Sequence, residues 1–327
     1  MGVTPVVADG RSLSLTSRDL TALHHCAQEG SLELLYQPEV DLATGGIVAM
    51  EGLLRWHHRD LGLLSPPSFL ELAEASGAMG PIGRWVLRAG AAEAVLWGDL
   101  PGPQRRLWLN ISASQLSSAG FVDLVGEVVA EAGLVHGALG LEVSEATVKA
   151  LGPCAASVLT DLRAAGVALA VDDFTSWFAT IGAIATLPID AVKLGHDYVR
   201  GLGDVTGELG ARDATVAAVI TEAHDHGILV VAEGVESGYE AARLMLLGCD
   251  RAHGWLFSSA QRGDKARWLL QHGTGWQGTS VSAHTPAPTT PVRRAIPVRR
   301  AVPVQRAVPV QRDGSVVPAP RAVSAAS

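Results

Sequence analysis

The chain has 327 residues, 48% of them hydrophobic, which is enough for one large α/β barrel followed by a tail. Residues 278–327 hold seven arginines and one acid, a net charge of +6; the whole chain carries −8, so residues 1–277 carry −14. The negative charge of residues 1–277 argues against nucleic-acid binding. No apolar stretch suits a membrane span or a signal peptide. The three cysteines form no paired framework, which favours the cytoplasm.

Residues 1–18 are predicted to form a flexible leader, and residues 19–275 alternate short apolar runs with longer amphipathic ones. The apolar runs predict strands at residues 34–36, 47–56, 107–111, 139–143, 167–171, 191–194, 228–232 and 252–257. Between them the pattern predicts helices at residues 67–76, 81–97, 114–132, 155–165, 214–226 and 239–247, several of which end at a glycine. Eight strands alternating with helices predict a TIM-type (β/α)8 barrel. A hairpin-like turn at residues 41–46 implies that the first strand runs antiparallel to the others.

Residues 276–327 have a different composition and are predicted to be a disordered, basic, proline-rich tail. A six-residue unit that begins Val292-Arg293-Arg294 repeats with proline at every sixth position, which forbids a helix or a central strand. Composition favours a solvated appendage. The alternative is an arm that docks an acidic protein partner.

Polar residues capable of metal binding or catalysis follow the apolar runs in the predicted barrel. In chain order they are Glu51, Asn110, Glu142, Asp172 with Asp173, Lys193 and Glu233. A single acid at a strand end is often a helix N-cap or part of a surface ion pair, but six successive ends make that explanation insufficient. The carboxyl ends of barrel strands meet at one mouth, and an oxygen-rich set there suits two Mg²⁺ or Mn²⁺ ions. The residues therefore predict metal-dependent phosphodiester hydrolysis, in which Lys193 either holds the attacking water or offsets charge on the pentavalent phosphorus.

These residues lie in segments that resemble the EAL domain family across roughly residues 20–270. The segments are Tyr36-Gln37-Pro38, Glu51-Gly52-Leu53-Leu54-Arg55-Trp56, Asn110-Ile111-Ser112, Leu141-Glu142-Val143-Ser144-Glu145, Asp172-Asp173-Phe174, Leu187-Pro188-Ile189-Asp190-Ala191-Val192-Lys193, Val231-Ala232-Glu233-Gly234-Val235-Glu236 and Gly248-Cys249-Asp250. The resemblance implies a TIM-type barrel with a reversed first strand. It also implies hydrolysis of cyclic di-GMP to linear pGpG.

The resemblance further implies a role for each matching residue. One metal would be held by Glu51, Asn110, Glu142 and Asp172, and the second by Asp172, Asp173 and Glu233. Lys193 would lie beside the nucleophilic water, with Glu233 as a candidate base. Gln37, Arg55 and Glu236 would contact the ligand, with Arg55 suited to a phosphate. Glu145 would support the loop that follows Asp173.

Three departures from the family pattern bear on activity. Gly52 stands where the signature Glu-Ala-Leu has alanine, which keeps the glutamate but loosens the backbone. After Asp173 the family reads Phe-Gly-Thr-Gly, whereas this chain has Thr175 and Trp177 in place of the two glycines. In the family, this loop orders the second metal and contributes to the homodimer contact. His253 replaces a glutamine. Two alternatives follow: a phosphodiesterase, or a weakly active or inactive receptor or scaffold that binds cyclic di-GMP or a protein partner.

Overall fold

The computed structural model of the chain describes residues 5–8, 11–14, 17–175, 181–200, 202 and 209–276. The strands there are β1 (Pro5–Ala8), β2 (Arg11–Ser14), β3 (Leu32–Asp41), β4 (Ile47–His58), β5 (Gly62–Leu64), β6 (Arg106–Ile111), β7 (Leu139–Ser144), β8 (Ala168–Phe174), β9 (Ala191–Leu194), β10 (Leu229–Ala232) and β11 (Arg251–His253). The helices are α1 (Ser17–His25), α2 (Leu70–Ser76), α3 (Met79–Gly98), α4 (Ala113–Leu116), α5 (Phe121–Ala132), α6 (Glu145–Leu151), α7 (Cys154–Ala164), α8 (Ile181–Ile184), α9 (His196–Val199), α10 (Leu209–Asp225), α11 (Gly238–Leu247) and α12 (Gly263–His272).

Strands β3 to β11, without the short β5, close into an eight-stranded barrel. The strand order is β3-β11-β10-β9-β8-β7-β6-β4, and pairing of β3 with β4 closes the ring. Strand β3 runs antiparallel to both of its neighbours, whereas the other pairs around the barrel are parallel. The predicted barrel and its antiparallel first strand are therefore confirmed.

Glycines end several helices in the left-handed conformation, as the sequence predicts. Gly77, Gly133 and Gly248 are C-caps of α2, α5 and α11, with φ of 77°, 63° and 91°. N-terminal caps are equally local: Ser112 and Ser237 form capping boxes at the starts of α4 and α11. These local signals fix the residues at which the helices begin and end.

The lower part of the barrel interior is filled by one indole surrounded by small side chains. Trp108 is fully buried in a cluster with Ala49, Ala168, Ala170, Ala191 and Val231. A Cβ atom at Gly140 would lie 2.2 Å from Cε3 of Trp108, so β7 needs a glycine there. The indole and its small neighbours form an apolar floor within the barrel.

Several element boundaries differ from the prediction. Strand β4 continues to His58 and forms a hairpin with β5, and the single helix predicted at residues 114–132 is divided into α4 and α5. The last strand ends at His253 rather than at residue 257, because Gly254 has a φ of 152° and turns the chain. No helix in the described part of the chain is both long and apolar enough to cross a membrane.

The two predicted terminal regions have different outcomes. Within the 18-residue leader, β1 and β2 pair as an antiparallel hairpin and α1 begins at Ser17, while its flexibility stays a prediction. Residues 277–327, and with them nearly all of the predicted tail, lie outside the described residues. So do residues 176–180, which include Trp177.

Candidate active site

The candidate residues lie one layer above the apolar floor, because side chains on a strand alternate between its two faces. Each follows a floor residue by two positions: Glu51 follows Ala49, Asn110 follows Trp108, Glu142 follows Gly140, Asp172 follows Ala170, Lys193 follows Ala191 and Glu233 follows Val231. Strand register aligns them, with Asn110 opposite Glu142. Glu51 lies inside the long β4 rather than at its end, but β4 pairs with β6 only through Gly52, so Glu51 is still at the mouth.

Lys193 is the centre of this group. Its side chain is fully buried, and Nζ lies 3.1 Å from Oε2 of Glu51, 2.5 Å from Oε1 of Glu142 and 3.6 Å from Oε1 of Glu233. Asn110 donates from Nδ2 to Oε1 of Glu51 at 3.0 Å. The structure thus brings five of the predicted residues from five strands into direct contact.

The site carries more negative than positive charge. Burial, together with the Glu233 carboxylate, raises the pKa of Asp172 to about 7, and burial raises the pKa of Glu142 well above its usual value. Burial acts against the Lys193 ammonium, but its carboxylate neighbours raise its pKa well above the ordinary value. Burial also opposes ionisation of Glu233, yet a hydrogen bond from His253 and the charge of Lys193 lower its pKa to about 2.

The paired aspartates lie at an irregularity in β8. The register between β8 and β9 shifts between Val171 and Phe174, and Asp173 has a φ of 52°, the one positive φ of a non-glycine residue among the described residues. A Cβ atom at Gly195 would lie 2.8 Å from Oδ1 of Asp173, so the chain leaves room for this carboxylate. The bulge directs two consecutive carboxylates away from regular alternation, a device common beside active sites.

Glu145 ties the loop after β8 to the start of α6. Its Oε2 accepts a hydrogen bond from the backbone N–H of Thr175 at 3.1 Å, and its Oε1 pairs with Nζ of Lys149 at 2.7 Å. Glu145 is itself buried. The geometry is consistent with the loop support predicted for it, up to the last described residue of the loop.

The three predicted ligand-contacting residues lie outside the buried group. Gln37 on β3 is opposite Glu51 in register and donates to the carbonyl of Ser258 at 3.1 Å. Arg55 is half-buried on β4, and its Nη1 donates to the Leu54 carbonyl at 2.8 Å. Burial lowers the pKa of Arg55, partly offset by the charge of Glu51. Glu236 is exposed beyond β10, and its side chain has no hydrogen bond to the buried group among the described residues.

A cavity of about 480 Å³ lies against β4, β6 and α3. Asn110 and Ser112 line one part of it, and its other walls are largely apolar, with Leu54, Ile82 and Val86 among them. Asn110 is the one candidate site residue in its lining, which includes none of Glu51, Glu142, Asp172 and Glu233, so this cavity does not by itself mark where the chemistry would occur.

His253 belongs to the site although the sequence pattern assigned it no role. It ends β11, and its Nε2 lies 3.1 Å from Oε1 of Glu233 and 3.6 Å from Oε2 of Glu51. A hydrogen bond with Glu233 raises the pKa of His253 against the effect of burial. His253 directly follows the apolar Ala252, and the other residues at the barrel mouth were predicted from this same feature, a polar residue after an apolar run.

The donor set fits divalent cations. Four carboxyl groups, those of Glu51, Glu142, Asp172 and Glu233, surround one ammonium, so acidic groups outnumber the cation that faces them. Neither carboxylate oxygen of Glu142 has a hydrogen bond of good geometry among the described residues, although Lys193 is in ion-pair contact with one of them. Hard cations prefer such oxygens and would supply the missing charge.

Comparison with known proteins places the barrel in a family. The sequence model of the family described as "EAL domain" matches residues 20–260 of this chain. The uncharacterized protein Rv1354c of Mycobacterium tuberculosis is 38% identical over 244 residues, which cover 74% of this chain and 38% of that protein. The cyclic di-GMP phosphodiesterase PA2567 of Pseudomonas aeruginosa is 35% identical over 230 residues, 70% of this chain and 38% of that protein. This chain thus spans about two fifths of those relatives.

A solved structure agrees with the sequence matches. The PaMucR phosphodiesterase, in complex with c-di-GMP, superposes with a TM-score of 0.70 and 30% sequence identity, covering 76% of this chain and 99% of that one. The reversed first strand of the barrel and the family match across residues 20–260 support the same family assignment. The chain belongs to the EAL domain family.

Proposed function

We propose that this protein hydrolyses cyclic di-GMP to linear pGpG with the help of two divalent cations, Mg²⁺ or Mn²⁺. The observation that carries the proposal is the group of four carboxyl side chains around the buried Lys193, three of them in ion-pair contact with it, at the mouth of an EAL-family barrel. When bound, the cations would polarise the phosphodiester and lower the pKa of a water molecule. Glu51, Asn110, Glu142 and Asp172 would hold one cation, and Asp172, Asp173 and Glu233 the other.

The chain's own residues would position the substrate and move the proton. Lys193 remains an ammonium, so it can donate a hydrogen bond to the attacking water but cannot act as a base. Glu233 stays ionised and is therefore free to accept a proton, although its pKa of about 2 makes it a weak base. Arg55 is half-buried and interacts electrostatically with Glu51. Its guanidinium suits a phosphate oxygen. Gln37 and Glu236 would contact the ligand at the rim, and Glu145 would hold the loop at Thr175.

The choice of substrate rests on the relatives. A relative 35% identical to this chain is named a cyclic di-GMP phosphodiesterase, and a structure 30% identical is a complex with c-di-GMP. A cytoplasmic location accords with a nucleotide substrate and with three free cysteines, and a homodimer through the barrel stays part of the proposal.

A turnover assay tests the proposal. The purified full chain is incubated with cyclic di-GMP in Mg²⁺ or Mn²⁺, and pGpG is quantified by chromatography. Glu51→Gln should lower the rate at least about 100-fold because it removes a metal-binding carboxylate without changing shape. Glu131→Gln, an exposed position on α5, is the matched control and should leave the rate unchanged.

The altered loop favours one second candidate function. Thr175 and Trp177 replace two glycines of the family pattern, so the protein would be a receptor or scaffold if the loop cannot close. Binding measured in Ca²⁺, beside the turnover assay, separates the two. Tight binding of cyclic di-GMP without any pGpG would make the protein a receptor, and absence of both would contradict the nucleotide site altogether.

A further inference from the structure

Three side chains at the mouth converge with the spacing of ligands around one cation. One ligand atom each from Glu51, Glu233 and His253 lie within 4.8 Å of one another. The imidazole Nε2 is 3.1 Å from the nearer Glu233 oxygen and 3.6 Å from the nearer Glu51 oxygen. Neighbouring ligands on an octahedral ion with bonds of about 2.1 Å are about 3 Å apart, so little movement would bring all three onto one ion.

The backbone fixes His253 in this position. Its carbonyl accepts a hydrogen bond from the N–H of Val235 at 3.0 Å, which joins the end of β11 to the segment after β10. A Cβ atom at Gly254 would lie 2.2 Å from the carbonyl oxygen of Val235, so this close approach requires glycine. The His253 side chain is 11% exposed and therefore preorganised beside Glu233.

The other ring nitrogen of His253, Nδ1, makes no contact that would prevent Nε2 from binding a cation. Nδ1 is buried and has no hydrogen-bond partner among the described residues, so no contact there holds the proton on Nε2. In this structure Nε2 faces the Glu233 and Glu51 carboxylates and donates to Glu233. A cation bound there would take the place of that proton and leave the one proton of the neutral ring on Nδ1. Lys193 lies 2.5 Å from Glu142 and 3.1 Å from Glu51, so Glu233, at 3.6 Å, is the carboxylate of these three that its ammonium compensates least.

We propose that His253 is a nitrogen ligand of the cation assigned above to Glu233, and that Glu51 reaches this cation through Oε2 while its Oε1 stays with Asn110 at the first cation. The centre would consequently prefer Mn²⁺ to Mg²⁺. Imidazole is a softer donor than carboxylate or water, and it suits first-row transition metals better than Mg²⁺, which favours oxygen alone. The inference rests on the proposed function for the presence of a cation, but it can be tested without turnover.

The test is pulsed EPR on the full chain loaded with Mn²⁺ alone, combined with calorimetric titration of Mn²⁺ and Mg²⁺. Wild-type protein should show the ¹⁴N coupling of a directly bound imidazole. His253→Gln, which keeps polarity, and His253→Phe, which keeps a planar ring, should lose it. Both should bind Mn²⁺ about tenfold or more weakly while Mg²⁺ affinity changes less than about twofold.

His224→Gln is the matched control, because His224 pairs with Asp250 away from the carboxylate group. It should retain the ¹⁴N signal and both affinities. A wild-type Mn²⁺ complex without imidazole coupling, or unchanged Mn²⁺ affinity in folded His253→Gln, would overturn the assignment. Bound Mn²⁺ without imidazole coupling would leave the proposed phosphodiesterase intact, whereas failure to bind either ion would contradict both.

Discussion

Lys193 links the stability of the barrel to its chemistry at the scale of one residue. Replacing it by methionine leaves four buried carboxylates without their ammonium. We expect Lys193→Met to lower the free energy of unfolding by about 3–5 kcal/mol in metal-free buffer, since an uncompensated buried charge costs that much. Urea unfolding at neutral pH measures the loss, and saturating Mn²⁺ should restore part of it.

Lys265→Met provides the comparison for that experiment. Lys265 is exposed on α12 and contacts only the face of Trp268 among the interactions identified for it, so the change should cost less than about 1 kcal/mol. Equal losses for the two variants, or no effect of Mn²⁺ on Lys193→Met, would contradict the charge balance inferred for the site.

Gly52, in the signature next to Glu51, is explained by packing rather than by a need for flexibility. A Cβ atom there would lie 2.7 Å from Cδ2 of Leu109, and one at Gly90 would lie 2.7 Å from Cδ1 of the same side chain. We expect Gly52→Ala to destabilise the fold by about 1–3 kcal/mol through overpacking. In the double variant with Leu109→Val, unfolding measurements should show a favourable coupling of about 1 kcal/mol or more. Strictly additive losses would refute the packing explanation.

At the scale of elements, short apolar runs that alternate with amphipathic helical stretches were sufficient to predict the barrel. Glu142, Asp172 and Lys193 were predicted at the barrel mouth because each follows an apolar run. Each also lies two residues after an inward-facing glycine or alanine, so strand geometry turns its side chain inward. The bulge at Asp173 and the turn at Gly254 could not be predicted, since they depend on close approach to Gly195 and Val235, which are distant in sequence. His253 was missed because the predicted strand continued past that turn.

The loop after β8 decides between an enzyme and a receptor. Thr175 reaches Glu145 through its backbone N–H, a contact that glycine would also make. We expect replacement of Thr175-Ser176-Trp177 by Gly-Thr-Gly to raise turnover of cyclic di-GMP about tenfold or more if the loop limits closure, because glycine adopts positive φ without strain. Steady-state kinetics measures the change, and binding in Ca²⁺ serves as the control. Unchanged turnover would remove the loop as the cause of any low activity.

At the scale of the whole molecule, charge separates the acidic body from the basic repeat tail. Removal of residues 278–327 takes away a net charge of +6 and leaves −14. If the tail is a solvated appendage, the truncated chain should unfold with the same free energy within about 0.5 kcal/mol and turn over substrate at the same rate. Parallel unfolding and turnover measurements on both chains check this. A loss of stability or a salt-dependent change in rate would instead indicate that the tail binds the acidic body.

The central claim, that the mouth of this barrel performs chemistry on a cyclic dinucleotide, is tested most directly under single-turnover conditions. The full chain in excess over cyclic di-GMP is mixed with Mn²⁺, and the nucleotide is followed to completion, so that slow product release cannot hide the chemical step. The account predicts stoichiometric pGpG that chelation or Glu51→Gln abolishes. Intact cyclic di-GMP, bound but unchanged over many hours, would contradict it.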